Sequence, residues 1–463
     1  MTTKEIEELV RQIMLGQTDI KKEGSIGGSG VFNTVDEAVC AAVNAQAEYL
    51  YVSLEIRRKI ITSIREKMLP LVEELSTRTY EETGMGNIED KIHKNRLAIN
   101  QTPGVEDLIT NAETGDYGMT LYEYSPYGVV GAIAPSTNPT ETLISNTIGM
   151  LAAGNAVIFS PHPGAKNISL WLVKKLNEIV CEASGIDNLV VTVATPSIIA
   201  AQEMMNHPNV PLLVITGGPA VVNEAMRTGK KVIAAGAGNP PAIVDETANI
   251  KKAAIDIVDG ASFDNNILCI AEKSVVAVDS IADSLIGQME KAGAYLIKNP
   301  EDIRKLEVLC LTENNKPNKK FVGKNAVDIL QAAGIQYTGT PRLIIVETQK
   351  NHYFAVEEML MPILPIVRTP NFDSALRTAL ELEQGLHHTA TMHSQSIANL
   401  NKAGRQLQTS IFVKNGPSFA GLGFKGEGST TFTIATPTGE GTTTARHFAR
   451  RRRCALIDGF SIR

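Results

Sequence analysis

The most constraining feature of the chain is a repeated alternation of short apolar runs with helix-length spacers in its first half. Val129–Ala134, Ala156–Phe159, Leu189–Val193, Leu212–Ile215 and Val232–Ala235 are each apolar and separated by a segment long enough for a helix. Strands buried on both faces read as continuous apolar runs, and successive parallel strands need a long crossover, usually a helix. The pattern predicts an α/β chain built on a doubly wound parallel sheet. Ligands in such sheets sit outside the carboxyl ends of the strands. From about Pro240 a second α/β unit is expected, with strands at Ala242–Asp245, Ser274–Val278, Leu343–Val346 and Ser410–Val413. Upstream, Asp36 to about Thr83 reads as helical, with breaks near Val52–Leu54 and at Pro70. Alternation through Met119, Leu121, Tyr122 and Tyr124 predicts a strand or hairpin between Tyr117 and Tyr127.

With 463 residues the chain exceeds the ~250–300 that one core serves. Two domains are expected, with a third small piece for assembly. Apolar residues at 43% and charged residues at 20% are ordinary for a globular protein. A net charge of −6 gives no electrostatic reason to bind nucleic acid or an anionic membrane. The basic cluster Arg450–Arg453 reads as interface or solvated side chains. No run approaches the ~18 apolar residues of a bilayer span, and the N-terminus, with Glu5, Glu7 and Glu8, lacks secretory-signal character. Cys40, Cys181, Cys269, Cys310 and Cys454 have neither disulfide-framework nor metal-ligand spacing, so no metal is expected and a reduced cytosolic setting fits.

Near the N-terminus, Ile6, Leu9, Val10, Ile13 and Met14 lie on one helical face, with Lys4, Glu5, Glu8, Arg11 and Gln12 on the other. Residues 1–18 are assigned to this amphipathic unit and 19–30, rich in glycine, to a flexible linker. Such a helix on a tether reads as a docking peptide that gains structure in a partner's groove. The alternative is a helix packed on the protein's own surface.

The dinucleotide fingerprint G-x-G-x-x-G is missing from the strand–helix turns. Thr216-Gly217-Gly218-Pro219 instead follows a strand and opens a helix, where glycines allow close approach and the helix N-terminus favours phosphate. Cys269 lies in Phe263-Asp-Asn-Asn-Ile-Leu-Cys-Ile-Ala-Glu-Lys273. A cysteine among apolar neighbours is usually inert packing. Asp264, Asn265 and Asn266 mark an irregular loop, and a strand resumes over Glu272–Val278, so this thiol is expected at a junction between elements. Cys40, Cys181 and Cys310 are read as packing residues.

Seven segments, in order, carry a resemblance. They are Glu82-Thr-Gly-Met-Gly-Asn87, Ala134-Pro-Ser-Thr-Asn-Pro-Thr-Glu141, Ser160-Pro-His-Pro-Gly-Ala165, Ile215-Thr-Gly-Gly-Pro219, Gly236-Ala-Gly-Asn-Pro-Pro241, Gly385-Leu-His-His-Thr-Ala390 and Thr436-Pro-Thr-Gly-Glu-Gly-Thr442. The chain past residue 30 resembles the aldehyde dehydrogenase superfamily, in particular its coenzyme-A-acylating branch, and looks most like the propionaldehyde dehydrogenases of bacterial microcompartments.

The resemblance implies the aldehyde dehydrogenase fold. Residues 31–110 and 128–238 would form a Rossmann-like NAD- and coenzyme-A-binding domain and 239–441 the catalytic domain. Residues 111–127 and 442–463 would supply an oligomerisation hairpin and arm, giving a homodimer or homotetramer. Cys269 would be the nucleophile, and the Asn138 amide with the Cys269 N–H the oxyanion hole. Thr216, Gly217, Gly218, Pro135, Ser136, Thr137, Gly236, Ala237 and Gly238 would line the cofactor site. Glu358 would hold the nicotinamide ribose. Ser160, Pro161 and His162 stand where hydrolytic members place a lysine-containing segment against the adenosine ribose, which leaves NAD against NADP open. His388 is either an acid–base group or a buried histidine that orients a loop, and His387 is read as structural.

One departure bears on the reaction. Hydrolytic members carry a water-activating glutamate where this chain has Ala235-Gly-Ala-Gly-Asn239. Without that base, water attacks an acyl-cysteine slowly, whereas a thiol resolves it unaided. The resemblance thus implies oxidation of a short-chain aldehyde, with propionaldehyde favoured, to acyl-CoA by ping-pong kinetics. Hydrolysis to free acid, or a non-catalytic scaffold, are the alternatives. The N-terminal unit would dock on a shell or lumen protein of a microcompartment in the cytoplasm.

Overall fold

The computed structural model describes residues 30–460. The amphipathic unit and the linker up to residue 29 lie outside the described residues. Gly30, assigned to the linker, belongs to the fold: it is buried, and its carbonyl accepts from the Thr192 N–H at 2.8 Å.

Six strands form the first sheet, in the spatial order Val31–Phe32, Val190–Val193, Ala156–Pro161, Val129–Ala134, Leu212–Thr216, Lys231–Ala235. All of its pairings are parallel. Helices cover it because their ends are well specified. The helix Val35–Tyr49 opens with a reciprocal Thr34–Glu37 capping box, Leu54–Met68 opens on a Ser53 cap, and Val72–Thr83 stops at left-handed Gly84. The helix Pro139–Ala152 is buried along its whole length, which explains its lack of a polar face.

The second sheet has seven strands in the order Ala294–Ile297, Leu343–Glu347, Ile363–Thr369, Ser274–Val278, Pro241–Val244, Thr389–His393, Ile411–Lys414. Alternate residues feed separate cores on its two faces. Ala242, Val244, Val275 and Ala277 go to one, Ile243, Val276 and Val278 to the other. A third, antiparallel sheet joins the hairpin Asn111–Gly115 and Gly118–Pro126 to the outer strand Ala449–Ile457.

After the edge strand Val31–Phe32, the chain starts the centre of the first sheet at Val129–Ala134, builds outward to one side, then returns to build on the other through Leu212–Thr216. A doubly wound sheet leaves its crevice at that reversal. The carboxyl ends of those two strands therefore frame the site.

Candidate active site

A cavity of about 820 Å³ opens at this reversal, between the two larger sheets. From the first sheet it takes Pro135, Ser136, Thr137 and Asn138, which follow one central strand. Thr216, Gly217 and Gly218 end the other, and Ser160, Pro161 and His162 end the neighbouring strand. Gly236 and Ala237 link the first sheet's strand Lys231–Ala235 to the second unit, which supplies Cys269 and Glu358. In that order these precede the strands Pro241–Val244, Ser274–Val278 and Ile363–Thr369. One sheet thus presents carboxyl ends and the other amino ends to a shared space.

Cys269 owes its position to the loop before it. Asp264, Asn265 and Asn266 have φ of 46°, 55° and 67°. Left-handed backbone is costly for side-chain-bearing residues, although Asn and Asp tolerate it best. Neighbours hold these residues in place. The Asp264 N–H donates to Asp90 Oδ2 at 2.7 Å, and the Asn265 amide donates to the Gly86 and Gly323 carbonyls at 3.0 Å. Buried Lys273 donates to the carbonyls of Asn266 and Leu268 at 2.8 and 2.9 Å. The expected irregular loop is therefore also a core element. From Gly260 to Val278 every residue is buried except Cys269, which lines the cavity with its neighbours Ile267, Leu268 and Ile270.

Asn138 occupies the N-cap position of the helix Pro139–Ala152, yet its side chain caps nothing. It lies instead on the cavity wall, with its amide available to a ligand. Gly218 likewise precedes the helix Pro219–Arg227 without a side-chain cap. A Cβ on Gly218 would meet nothing within 4 Å. An open, uncapped helix N-terminus beside unfilled space suits a phosphate group, so these residues fit a dinucleotide or coenzyme A.

Residues 30–433 match the aldehyde dehydrogenase family. The chain belongs to that family. It is 55% identical to the CoA-propanoylating propanal dehydrogenase of Salmonella typhimurium, each chain being covered in full. It is 53% identical, with a TM-score of 0.92, to a Rhodopseudomonas palustris propionaldehyde dehydrogenase solved with bound CoA and an acylated cysteine, covering 94% of this chain and 99% of that one. A propionaldehyde dehydrogenase from the Clostridium phytofermentans fucose utilisation bacterial microcompartment is 47% identical with a TM-score of 0.92, covering 94% and 100%.

Two of the residues named from the sequence stand behind the cavity wall of this aldehyde dehydrogenase. Gly238 donates its N–H to Glu358 Oε1 at 3.3 Å. His388 is fully buried; a Cβ on Gly238 would lie 2.8 Å from its ring. Its Nδ1 meets Thr389 Oγ1 at 2.9 Å, and its pKa is pushed down to about 4 by burial and by Lys273. An imidazole so placed is neutral at physiological pH and does not face the cavity. His387 is exposed, with φ of 53°.

Two further residues of the cavity wall were not singled out from the sequence. Lys319 reaches the cavity from a distant segment and lies near enough to His162 that, after burial, its charge helps lower that imidazole. It places a cation at the end of the cavity where the Ser160–His162 segment has none. Glu82 lines the same end, but its carboxylate is engaged by the Asn167 and Ile168 N–H groups, both at 2.7 Å. Among the remaining cysteines, Cys310 is buried whereas Cys40 is exposed, which corrects its reading as a packing residue. All five are free. Among the described residues no cluster of His, Cys, Asp and Glu is arranged to hold a metal, and no helix is long and apolar enough to cross a membrane.

Proposed function

We propose that this protein oxidises a short-chain aldehyde, propionaldehyde first among them, to its coenzyme A thioester. The observation that carries the reading is that Cys269, the one residue of its segment that is not buried, opens into a cavity whose Ala235–Ala237 wall bears no carboxylate. The likeness to CoA-propanoylating enzymes supports the same reading.

Bound NAD supplies the hydride acceptor; Thr216, Gly217, Gly218 and Glu358 would hold its nicotinamide half, and Ser160, Pro161 and His162 its adenosine half. The Cys269 thiol releases its proton to solvent, and its sulfur bonds to the aldehyde carbon. The Asn138 amide and the Cys269 N–H hold the oxygen as it gains charge; one such donor contributes about 10²–10³-fold in rate. Oxidation leaves an acyl-cysteine thioester. The coenzyme A thiol, entering the same cavity, gives up its proton and attacks the acyl carbon; its carbon–sulfur bond forms as the bond to Cys269 breaks. His388 orients the Gly238 and Cys269 backbone, the role that its burial supports.

Hydrolysis remains the competing chemistry because Glu358 shares the wall with Cys269. The Glu358 assignment to the ribose gives that carboxylate another role. Product analysis after turnover with propionaldehyde separates them: propionyl-CoA supports acyl transfer, and accumulated propionate supports hydrolysis.

We also infer a homodimer or homotetramer built on the antiparallel sheet. Among the described residues its outer strand Ala449–Ile457 is paired on one side only, and it is exposed from Arg450 to Ala455, a template for a second copy. Arg450 and Arg451 lie 4.5 and 4.3 Å over the Tyr127 and Tyr122 rings, so these arginines are engaged by the protein's own tyrosines. Residues 1–18 are proposed to direct the enzyme into a microcompartment in the cytoplasm by docking on a shell or lumen protein.

A further inference from the structure

We propose that Lys94 is a positioning residue that fixes the Asn138 amide for oxyanion binding and ties it to the root of the Cys269 loop. The inference rests on the oxyanion role of Asn138 stated above.

Lys94 sits in the helix Ile88–Gln101 and is 1% exposed. Its ammonium donates to Asn138 Oδ1 at 2.6 Å and to Asp264 Oδ2 at 2.5 Å, and lies 3.2 Å from Glu141 Oε1. An ammonium has three donors and no acceptor, so it draws only oxygens, of which Glu141 Oε1 is an ion-pair neighbour without a hydrogen bond. Burial works against its charge, but Asp264 and Glu141 hold its pKa above the usual lysine value, and it remains a cation.

The consequence concerns which end of Asn138 faces the reaction. The two ends of an amide are nearly equal in shape and opposite in polarity. A donor-only neighbour makes the carbonyl end turn toward it. The nitrogen is left as the cavity-facing donor, with one long 3.4 Å contact to Thr137 Oγ1. Were the amide reversed, its carbonyl would meet a developing oxyanion and repel it. Nothing else in the helix start locks the rotamer, since the side chain makes no cap.

The same ammonium reaches Asp264, first of the left-handed residues before Cys269. The other Asp264 oxygen accepts from the Asn87 N–H at 2.7 Å. One lysine thus bridges the oxyanion donor and the loop of the nucleophile. Lys91, 3.2 Å from Asp264 Oδ2, makes the buried group two cations against two anions.

The test is a double-mutant cycle on the full-length enzyme with Lys94→Met, Asn138→Ala and both. It measures kcat and KM for aldehyde oxidation, single-turnover formation of the acyl-enzyme by mass spectrometry without coenzyme A, and Tm. Lys94→Met is expected to lower kcat and the acylation rate about 10²-fold, the loss of an oxyanion donor, with KM changed little. In the Asn138→Ala background the same substitution is expected to change kcat by less than about threefold, because residues acting as a unit are not additive. An equal loss in both backgrounds overturns the proposal. Wild-type kcat in Asn138→Ala alone would instead overturn the oxyanion reading beneath it. Should Lys94→Met fail to fold, Lys94→Met with Glu141→Gln removes one cation and one anion together and is read in the same cycle.

Discussion

Burial, together with the Glu358 carboxylate on the same cavity wall, pushes the Cys269 thiol up to about 12, against an opposing pull from Lys273. In the free enzyme the nucleophile is therefore stored as a neutral thiol. Alkylation of Cys269 by iodoacetamide should climb about tenfold per pH unit from pH 7 to 10 without a plateau. Glu358→Gln removes the anion and should speed alkylation severalfold at pH 8. Peptide mass spectrometry gives both rates. A plateau near pH 8, or slower labelling in the variant, would contradict this electrostatic account.

The approach of Gly86 to Asp264 leaves no room for a side chain. Gly86 has φ of +74°, and a Cβ there would lie 1.9 Å from Asp264 Oδ1. Gly86→Ala should destabilise the protein by about 2 kcal/mol or more, combining left-handed strain with a clash against a buried carboxylate. It should also lower kcat, because Asp264 anchors the loop carrying Cys269. Calorimetry with steady-state kinetics checks both; a variant with wild-type Tm and kcat would refute the anchoring role.

Acid should weaken the second sheet through its histidines. His388 and His393 are both pushed down to about 4 by burial. In the unfolded chain they titrate near 6.5. Each contribution is complete above that value and is lost as pH falls through about 4, at about 1.4 kcal/mol per unit. Glu272, pushed up to about 7 by burial, acts oppositely, its contribution lost as pH rises toward 7. Asp90, Asp256, Glu358 and Glu383 are raised by burial as well and act with Glu272, so the histidine contribution is read as a difference between variants. His393→Gln should lose less Tm than wild type between pH 6.5 and 4.5; an equal or greater loss would count against the assignment.

Much of the fold was legible because parallel strands buried on both faces must be apolar throughout. Two of the strands missed fail that rule for visible reasons. Ile363–Thr369 carries Pro365 inside a sheet, paired opposite Val346. Thr389–His393 reads as polar although every residue is buried. Cys269 could be placed at a junction from local pattern, but its role came from resemblance. Lys94 and Lys319 were invisible for opposite reasons. Lys94 looks like a solvated helix face until Asp264 and Glu141, far away in sequence, close over it. Lys319 belongs to an irregular segment whose approach to His162 only the fold reveals.

Deleting residues 1–18 should leave kcat and Tm unchanged, since the cavity and the sheets that frame it are built from residues after Gly30. The truncated enzyme should no longer co-purify with microcompartments. Loss of activity in a folded truncation, or undiminished encapsulation, would contradict the docking role.

The central claim is that the acyl group leaves Cys269 on sulfur. Its most direct test follows NADH formation from propionaldehyde at catalytic enzyme concentration, with and without coenzyme A, identifying the product by mass spectrometry. The account predicts sustained turnover and propionyl-CoA only with coenzyme A, stopping near one NADH per site without it, and none in Cys269→Ala. Many turnovers to propionate without coenzyme A would contradict it.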